Sequence, residues 1–169
     1  YTLSLHDALP ISQAEAKGTR VVHMEVGQPA RPAPATAIRA AQAALAHGRI
    51  GYTETLGIPS LRVRIAQYYR EIYGLDLDPA RVAVTTGSSG GFILAFLSLF
   101  EPGERVALAN PGYPPYRHIL SALGCAPVLI ETSAETRWAL TPQALIAEHR
   151  NKPLAGLVVA SPANPTGTM

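Results

Sequence analysis

The sequence has few of the residues that build disulfides, metal sites or membrane spans. Its 169 residues include one cysteine, Cys125, which excludes an internal disulfide framework and a multi-cysteine zinc site. The five histidines are scattered without a ligand-type spacing. The longest apolar stretch, residues 92–100, is far shorter than the roughly 20 residues that cross a bilayer. We therefore expect a soluble, cytoplasmic chain with no metal site and no membrane partner.

Charged residues are scarce, and lysine is the least frequent of the four charged residue types. They make up 15% of the chain, against about 25% in an average domain, while hydrophobic residues make up 47%. Such a chain can bury a sizeable core, and its length predicts about one domain. The net charge is only +2 and no basic run occurs, so we expect no nucleic-acid partner. The only lysines are Lys17 and Lys152.

The two ends of the chain are unusual. Residues 1–12 lack the basic start and the cleavage pattern of a signal peptide, and they resemble translated sequencing-adapter sequence. We expect them to form a non-native, frayed tail. The chain begins at Tyr1 and ends at Met169, just past a turn that should leave a buried strand. We therefore expect it to be a fragment of a longer protein.

From residue 19 onward, short apolar runs alternate with segments of helical periodicity. This pattern predicts strands at 21–26, 81–85, 105–109, 127–131 and 156–160, and helices at 34–46, from 59 to Gly74, at 92–100, at 114–123 and from Pro142 onward. The helix at 92–100 is apolar all round, so we expect it to be buried on every side. Alternating strands and helices indicate an α/β fold with a parallel sheet and flanking helices.

Three predicted strands are followed by unusual loops, namely TGSSGG at 86–91, NPGYPPY at 110–116 and SPANPTG at 161–167. Because ligands of open parallel sheets bind at the carboxyl ends of the strands, we expect these loops to converge at one edge. The first loop precedes a helix and offers small residues and two hydroxyls, which suits a phosphate. Taken alone, a Gly/Ser sequence is more often an ordinary turn, and this one matches neither a P-loop nor a dinucleotide motif.

The other two loops each hold one residue that can contact a flat ring. Tyr113 lies between Gly112 and Pro114, where a stiff aromatic ring either stacks on a ligand or packs in the core. Asn164 can donate an amide hydrogen to a ring oxygen, although an Asn before Pro usually forms a turn. A phosphate, a flat ring and a ring oxygen together describe pyridoxal 5'-phosphate.

At this point the sequence resembles a known family, the class I/II pyridoxal-phosphate-dependent aminotransferases of fold type I. The resemblance extends from about residue 21 to residue 168. Its order and spacing are specific, and it is carried by EVGQP at 25–29, Tyr52, GIPSLR at 57–62, VTTGSS at 84–89, PG at 102–103, NPGY at 110–113 and PANPTG at 162–167. It implies a small-domain arm at 13–47 and the first part of a large cofactor-binding domain at 48–169.

The resemblance also implies roles for individual residues. Gly87, Ser88 and Ser89 would bind the cofactor phosphate, with the register uncertain by one residue because Ser89-Gly90 replaces the usual pattern. Tyr113 would stack on the pyridine ring, and Asn164 would bond its phenolic oxygen. In a homodimer, Tyr52 would reach the phosphate bound to the neighbouring subunit, and Gly27 would line the site of the substrate carboxylate.

The same resemblance places several functional residues beyond Met169. These are the lysine that forms the Schiff base, the acidic partner of the pyridine nitrogen and two arginines. Neither Lys17 nor Lys152 stands in the matching context, so we expect no catalytic residue within the chain and no activity from the chain alone.

The leading hypothesis is an aminotransferase of amino-acid biosynthesis, acting on an amino acid and a 2-oxo acid. A cofactor-sensing domain of a transcription regulator and a lyase of the same fold remain alternatives. Glu131 and Glu135 are expected to be solvated.

Overall fold

A computed structural model describes residues 5–23, 31–48 and 51–169. The chain divides into two compact units, Tyr1–Glu54 and Thr55–Met169. The first unit contains α1 (Leu5–Ala16) and α2 (Ala35–His47), and α2 agrees with the predicted helix. Residues 5–12 are helical, so the frayed segment that we expected there is wrong from residue 5 onward. Residues 21–23 are not in a strand, and the rest of the predicted strand at 21–26 lies outside the described residues.

The second unit alternates helices and strands. Its elements are α3 (Pro59–Tyr73), a 3-10 turn (Pro79–Arg81), α4 (Gly87–Leu99), β1 (Arg105–Asn110), α5 (Pro114–Ala122), β2 (Ala126–Glu131), a 3-10 turn (Ala134–Thr136), α6 (Pro142–Asn151) and β3 (Gly156–Val158). Proline occupies the first turn of α3, α5 and α6, where its missing N–H costs nothing. Gly74 ends α3 with a φ of 66°, a left-handed conformation that glycine adopts without strain. Thr141 caps α6 by accepting a hydrogen bond from the backbone N–H of Ala144.

The three strands form one parallel sheet in the order β2-β1-β3, as the alternating pattern predicted. Leu108 of β1 is paired with Leu129 of β2 on one side and with Val158 of β3 on the other. The central strand is the most deeply buried of the three. A parallel arrangement brings the carboxyl ends of neighbouring strands to one edge of the sheet.

The core lies where α4 and α5 pack on one face of this sheet. Phe96 of α4, Leu120 of α5 and Cys125 surround Val106 and Leu108 of β1. Val106 and Leu120 are fully buried, and each contributes about 1.5–3 kcal/mol by leaving water. Phe100 lies so close to Gly156 that a Cβ there would come within 2.4 Å of its ring. The start of β3 therefore requires a residue without a side chain.

The segment expected to be a strand at 81–85 is not one. Arg81 ends a 3-10 turn, and residues 82–85 have no strand partner among the described residues. The segment is fixed by isolated contacts: the backbone N–H of Val84 donates to the carbonyl of Leu56, and the guanidinium of Arg62 donates to the carbonyls of Val82 and Pro79. A strand needs a continuous ladder of hydrogen bonds, which these contacts do not supply.

The described residues do not bury the helix after this segment on every side, so the expected burial would need cover from the rest of the longer protein. The helix starts five residues earlier than predicted, at Gly87, and only Phe96 is fully buried. Phe92, Phe96 and Phe100 face the core at helical spacing, whereas Leu94, Leu97 and Leu99 are more than half exposed. The described residues supply a packing partner for one face of α4 only.

The amino edge of the sheet is fixed by Arg105, the first residue of β1. Its guanidinium pairs with the carboxylate of Glu148 on α6 and donates to the backbone carbonyl of Lys152. Both side chains of the ion pair are largely buried, so the end of α6 is held against the start of β1. Within the described ranges, no helix has the length and apolar character needed to cross a membrane.

Candidate functional site

Two of the three loops start at the same edge of the sheet. β1 ends at Asn110 and the neighbouring β3 ends at Val158, so the loops at 111–116 and 161–167 both follow carboxyl ends of adjacent parallel strands. At this edge the side-chain amide of Asn110 donates to both carboxylate oxygens of Glu131, at 2.8 and 3.0 Å. Glu131 is exposed, as expected, and its carboxylate also accepts hydrogen bonds from Asn110. The predicted convergence holds for these two loops.

The GSSGG sequence forms the first turns of α4. Gly87 has a φ of 75°, a left-handed conformation, and the hydroxyl of Thr85 donates to its carbonyl at 2.7 Å. The first N–H groups of a helix have no partner within it, and the side chain of Thr86 makes no capping bond to them. Ser88 and Ser89 are exposed, and their hydroxyls have no hydrogen-bond partner within the described ranges. The turn therefore presents backbone and hydroxyl donors at the positive end of a helix.

Tyr113 lies at the start of α5, beside the end of β1. Its ring is half-buried and contacts Tyr116 in a T-shaped arrangement, with centroids 5.3 Å apart and planes at 80°. Tyr116 in turn contacts Phe92 of α4, at 4.8 Å and 82°. Phe92 lies one helical turn after Ser88. Through these contacts, the loop with Tyr113 packs against α4, the helix that begins with the GSSGG sequence.

Asn164 lies in a tight turn at the end of the chain. The N–H of Gly167 donates to the carbonyl of Ala163, and the N–H of Ala163 donates to the carbonyl of Thr168, both at 2.7 Å. The hydroxyl of Thr168 also donates to the carbonyl of Arg137. The side chain of Asn164 is exposed, and no hydrogen bond between described residues joins it to Tyr113 or to the first turn of α4. The hydroxyl oxygen of Thr166 is buried without a described partner.

The resemblance implies binding roles for two further residues, Gly27 and Tyr52. No described contact joins either of them to the carboxyl edge of the sheet. Gly27 lies outside the described residues, so its role stays a prediction. Tyr52 belongs to the first unit, and its side chain is fully exposed. The role of Tyr52 also stays a prediction.

Neither lysine belongs to this edge by any described contact. Lys17 is exposed in the first unit. The backbone of Lys152 is bonded to Arg105, at the opposite end of β1 from Asn110. Six strand residues separate these two ends by about 16 Å, because each residue advances a strand by about 3.3 Å.

Among the described acidic and histidine residues no group is arranged to hold a metal ion. Glu135 is exposed, and a hydrogen bond from the Ser133 side chain lowers the pKa of its carboxyl, as does one from its own backbone. Besides the carboxylate of Glu131, which is bonded by Asn110, this edge offers backbone N–H groups, hydroxyls and the ring of Tyr113. The donors at the start of α4, which have no described partner, suit a phosphate, and the half-buried ring of Tyr113, joined to α4 through Tyr116 and Phe92, suits a flat ring.

Tyr116 is the residue of this site that the sequence analysis missed. It contacts both Tyr113 and Phe92, and it packs against the core. The signal in the sequence is its position three residues after Tyr113, immediately after two prolines that start a helix. Residues three apart lie on the same face of a helix.

The comparisons with known proteins agree with this description. The family model "Aminotransferase class I and II" matches residues 19–169. The chain is 50% identical over 161 residues to the valine–pyruvate aminotransferase of Mycobacterium tuberculosis, and 33% identical over 147 residues to an aspartate aminotransferase of Pyrococcus horikoshii. Its fold superposes on the crystal structure of an aminotransferase from M. tuberculosis with a TM-score of 0.86 at 47% sequence identity.

These matches cover most of this chain but less than half of each relative. The M. tuberculosis enzyme is matched over 94% of this chain and 41% of its own length. The corresponding values are 87% and 37% for the P. horikoshii enzyme, and 94% and 40% for the crystal structure. The chain spans about two fifths of the length of the relatives that it matches.

Proposed function

Because the chain belongs to the class I and II aminotransferase family, we propose that the full-length protein moves an amino group between an amino acid and a 2-oxo acid, with pyridoxal 5'-phosphate as its cofactor. The observation that carries this proposal is the continuous family match over residues 19–169, which includes all three loops of the candidate site. The free donors at the start of α4 support it independently, since they suit the phosphate of that cofactor.

Each loop has its own task in this proposal. The backbone N–H groups of the first turn of α4, together with the hydroxyls of Ser88 and Ser89, hold the phosphate; Gly87 allows the chain to enter the turn. Tyr113 packs its ring on the flat pyridine ring and excludes water from that face. Asn164 donates its amide hydrogen to the ring oxygen. When bound, the cofactor supplies the electron-accepting ring on which the amino group is exchanged.

Two further roles rest on the family alone. We propose that Gly27 lines the site of the substrate carboxylate and that the full-length protein is a homodimer. In that dimer Tyr52 reaches the phosphate bound to the partner subunit, and its full exposure in this chain is compatible with such a role. We place the protein in the cytoplasm, where a single buried free cysteine is ordinary.

The substrate is proposed from the relatives. At 50% identity the relative named for valine and pyruvate is nearer in sequence than the aspartate aminotransferase at 33%. We therefore propose a small aliphatic amino acid as the donor and a small 2-oxo acid as the acceptor. The alternative is an acidic amino acid as the donor, and the experiment must distinguish it from the aliphatic one.

The test is a transamination assay of the full-length protein with added cofactor. Valine and aspartate serve as alternative donors, and pyruvate and 2-oxoglutarate as acceptors. We expect alanine to form from valine and pyruvate, at a rate that exceeds the rate with aspartate. Release of ammonia or of carbon dioxide without a new amino acid would instead identify a lyase. Cofactor binding without any turnover would favour a sensing domain.

A further inference from the structure

We propose that Tyr116 is a positioning residue for the cofactor ring, acting through Tyr113 and supported by Phe92. The proposal rests on the proposed function, because it assigns Tyr116 a task in the same cofactor site. The described ring contacts of Tyr116 are with Tyr113 and Phe92, so we assign it no direct contact with the reacting atoms. We call the three rings Tyr113, Tyr116 and Phe92 the aromatic row.

The geometry of the aromatic row fixes Tyr113 without covering it. Both contacts in the row are T-shaped, with planes at 80° and 82°. In a T-shaped pair the edge of one ring meets a face of the other, so Tyr116 leaves at least one face of Tyr113 open. The arrangement therefore restrains the ring while keeping a surface for a second flat group.

The row is anchored at its far end. Phe92 and Tyr116 both pack against the buried core around Val106 and Leu120, and Phe92 also stacks on Phe96. Side chains held in a dense core keep one rotamer, and this rigidity extends to the rings that they touch. Tyr113 itself is only half-buried. The contact with Tyr116 therefore adds a restraint on its orientation that its own burial does not supply.

The row also links the two parts of the ligand site. Phe92 lies four residues after Ser88 on α4, so one helix carries both the phosphate donors and the end of the row. Through Tyr116, the spacing between the phosphate donors and the Tyr113 ring is set by packed side chains and not by loop conformation. A ligand with its phosphate and its ring at a fixed separation gains affinity from such preorganisation.

The test compares variants of the full-length protein by the dissociation constant for pyridoxal 5'-phosphate. We expect Tyr116→Leu to weaken binding by about three- to tenfold, the range expected for loss of the edge-to-face contact with Tyr113, the one of its two ring contacts that restrains the stacking ring. Tyr116→Phe keeps the ring, and the hydroxyl that it removes has no described hydrogen-bond partner, so its dissociation constant should match wild type. Phe92→Leu should weaken binding in the same direction, and it carries the test if Tyr116→Leu does not fold.

A double-mutant cycle separates positioning from a general loss of structure. If Tyr116 acts through Tyr113, then Tyr116→Leu should have little further effect in a Tyr113→Leu background. The visible circular dichroism of the bound cofactor should change in Tyr116→Leu, because that signal depends on how the ring is held. Phe100→Leu is the control for stability: it removes a ring that contacts Phe96 and that is outside the row, and it should leave both signals unchanged.

The outcomes distinguish this inference from the function on which it rests. Failure of the wild-type protein to bind the cofactor would overturn both. Normal binding by wild type together with an unchanged dissociation constant in Tyr116→Leu would overturn the inference alone. Additive effects of Tyr116→Leu and Tyr113→Leu in the cycle would also overturn it, because they would show that the two rings act separately.

Discussion

At the scale of single residues, the side chains with the most evident chemistry are two exposed hydroxyls and one buried thiol. Ser88 and Ser89 stand at the positive end of α4 without a described partner. Cys125 lies in the core beside β2, with its Sγ 3.7 Å from the carbonyl oxygen of Glu101. Exposure leaves the serines available to a ligand, whereas burial makes the thiol less reactive.

The first residue-scale prediction concerns the phosphate donors. We expect Ser88→Ala combined with Ser89→Ala to weaken cofactor binding by the full-length protein tenfold or more, because each hydrogen bond to a charged group contributes about 1.5–3 kcal/mol. The measurement is a titration of the cofactor-free protein. Ser98→Ala is the matched control, since the described partner of its hydroxyl, on the same helix, is the carbonyl of Leu94. An unchanged affinity in the double variant would mean that the sequence at 87–91 is merely a helix start.

The second residue-scale prediction concerns how the reaction rate of the Cys125 thiol depends on pH. Burial raises the pKa of its thiol above the ordinary value, and the nearby carboxylates of Glu104 and Glu101 raise it further. The reactive thiolate is therefore scarcer in the folded protein at any given pH. We expect the rate of modification by a disulfide reagent to rise at higher pH in the folded protein than in urea. A profile that coincides with the unfolded one would contradict the raised pKa.

At the scale of elements, α4 combines three different surfaces in thirteen residues. Its first turn offers hydrogen-bond donors, one face packs phenylalanines into the core, and the remaining face exposes apolar side chains. Because the fold of the described chain covers only the phenylalanine face, the exposed leucines require a partner that the described residues do not provide. Contiguous exposed apolar surface of this kind favours association.

We predict that the isolated 169-residue chain self-associates through this face of α4. Leu94→Lys combined with Leu97→Lys should reduce the apparent mass in sedimentation or light scattering, because both side chains are more than half exposed. Ile146→Lys, which replaces a half-exposed apolar residue on α6, should leave the association unchanged. A wild-type chain that stays monomeric and unfolds in one sharp, reversible transition would contradict this prediction.

At the scale of the whole molecule, the three-stranded sheet separates the candidate site from the only lysine of the second unit. The loops with Tyr113 and Asn164 follow the carboxyl ends of β1 and β3. Lys152 is held at the amino end of β1 by the bond between its carbonyl and Arg105. The sheet thereby prevents Lys152 from serving as the covalent partner of a cofactor bound among those loops.

We therefore predict that the 169-residue chain has no transaminase activity. An amine is needed to bind the cofactor aldehyde covalently and to move the proton at the substrate carbon, a step worth about 10²–10⁴-fold. Borohydride reduction with added cofactor, followed by mass spectrometry of the intact chain, should give no specific single adduct. The full-length protein should give one under the same conditions. A unique adduct on Lys152 of the chain, accompanied by turnover, would place the catalytic site within these 169 residues.

The sequence alone predicted most of the local elements and indicated a candidate ligand. Prolines at helix starts, glycines after helix ends and short apolar runs predicted α2, α3, α5, α6 and all three strands to within a few residues. These features act through adjacent backbone, so they can be read from neighbouring residues. The residue types in the three loops likewise indicated a phosphate and a flat ring before any geometry was known.

Only the tertiary structure decided what each element touches. Residues 82–85 have strand-like composition, but no described residue completes a ladder with them. The apolar helix α4 is packed on one face only by the described residues. The contact of Tyr116 with both Tyr113 and Phe92 joins α5 to α4, two helices separated in sequence by β1. Such contacts depend on how the chain folds back over the sheet. Because burial and pairing are properties of the partner as much as of the segment, the segment's own sequence cannot specify them.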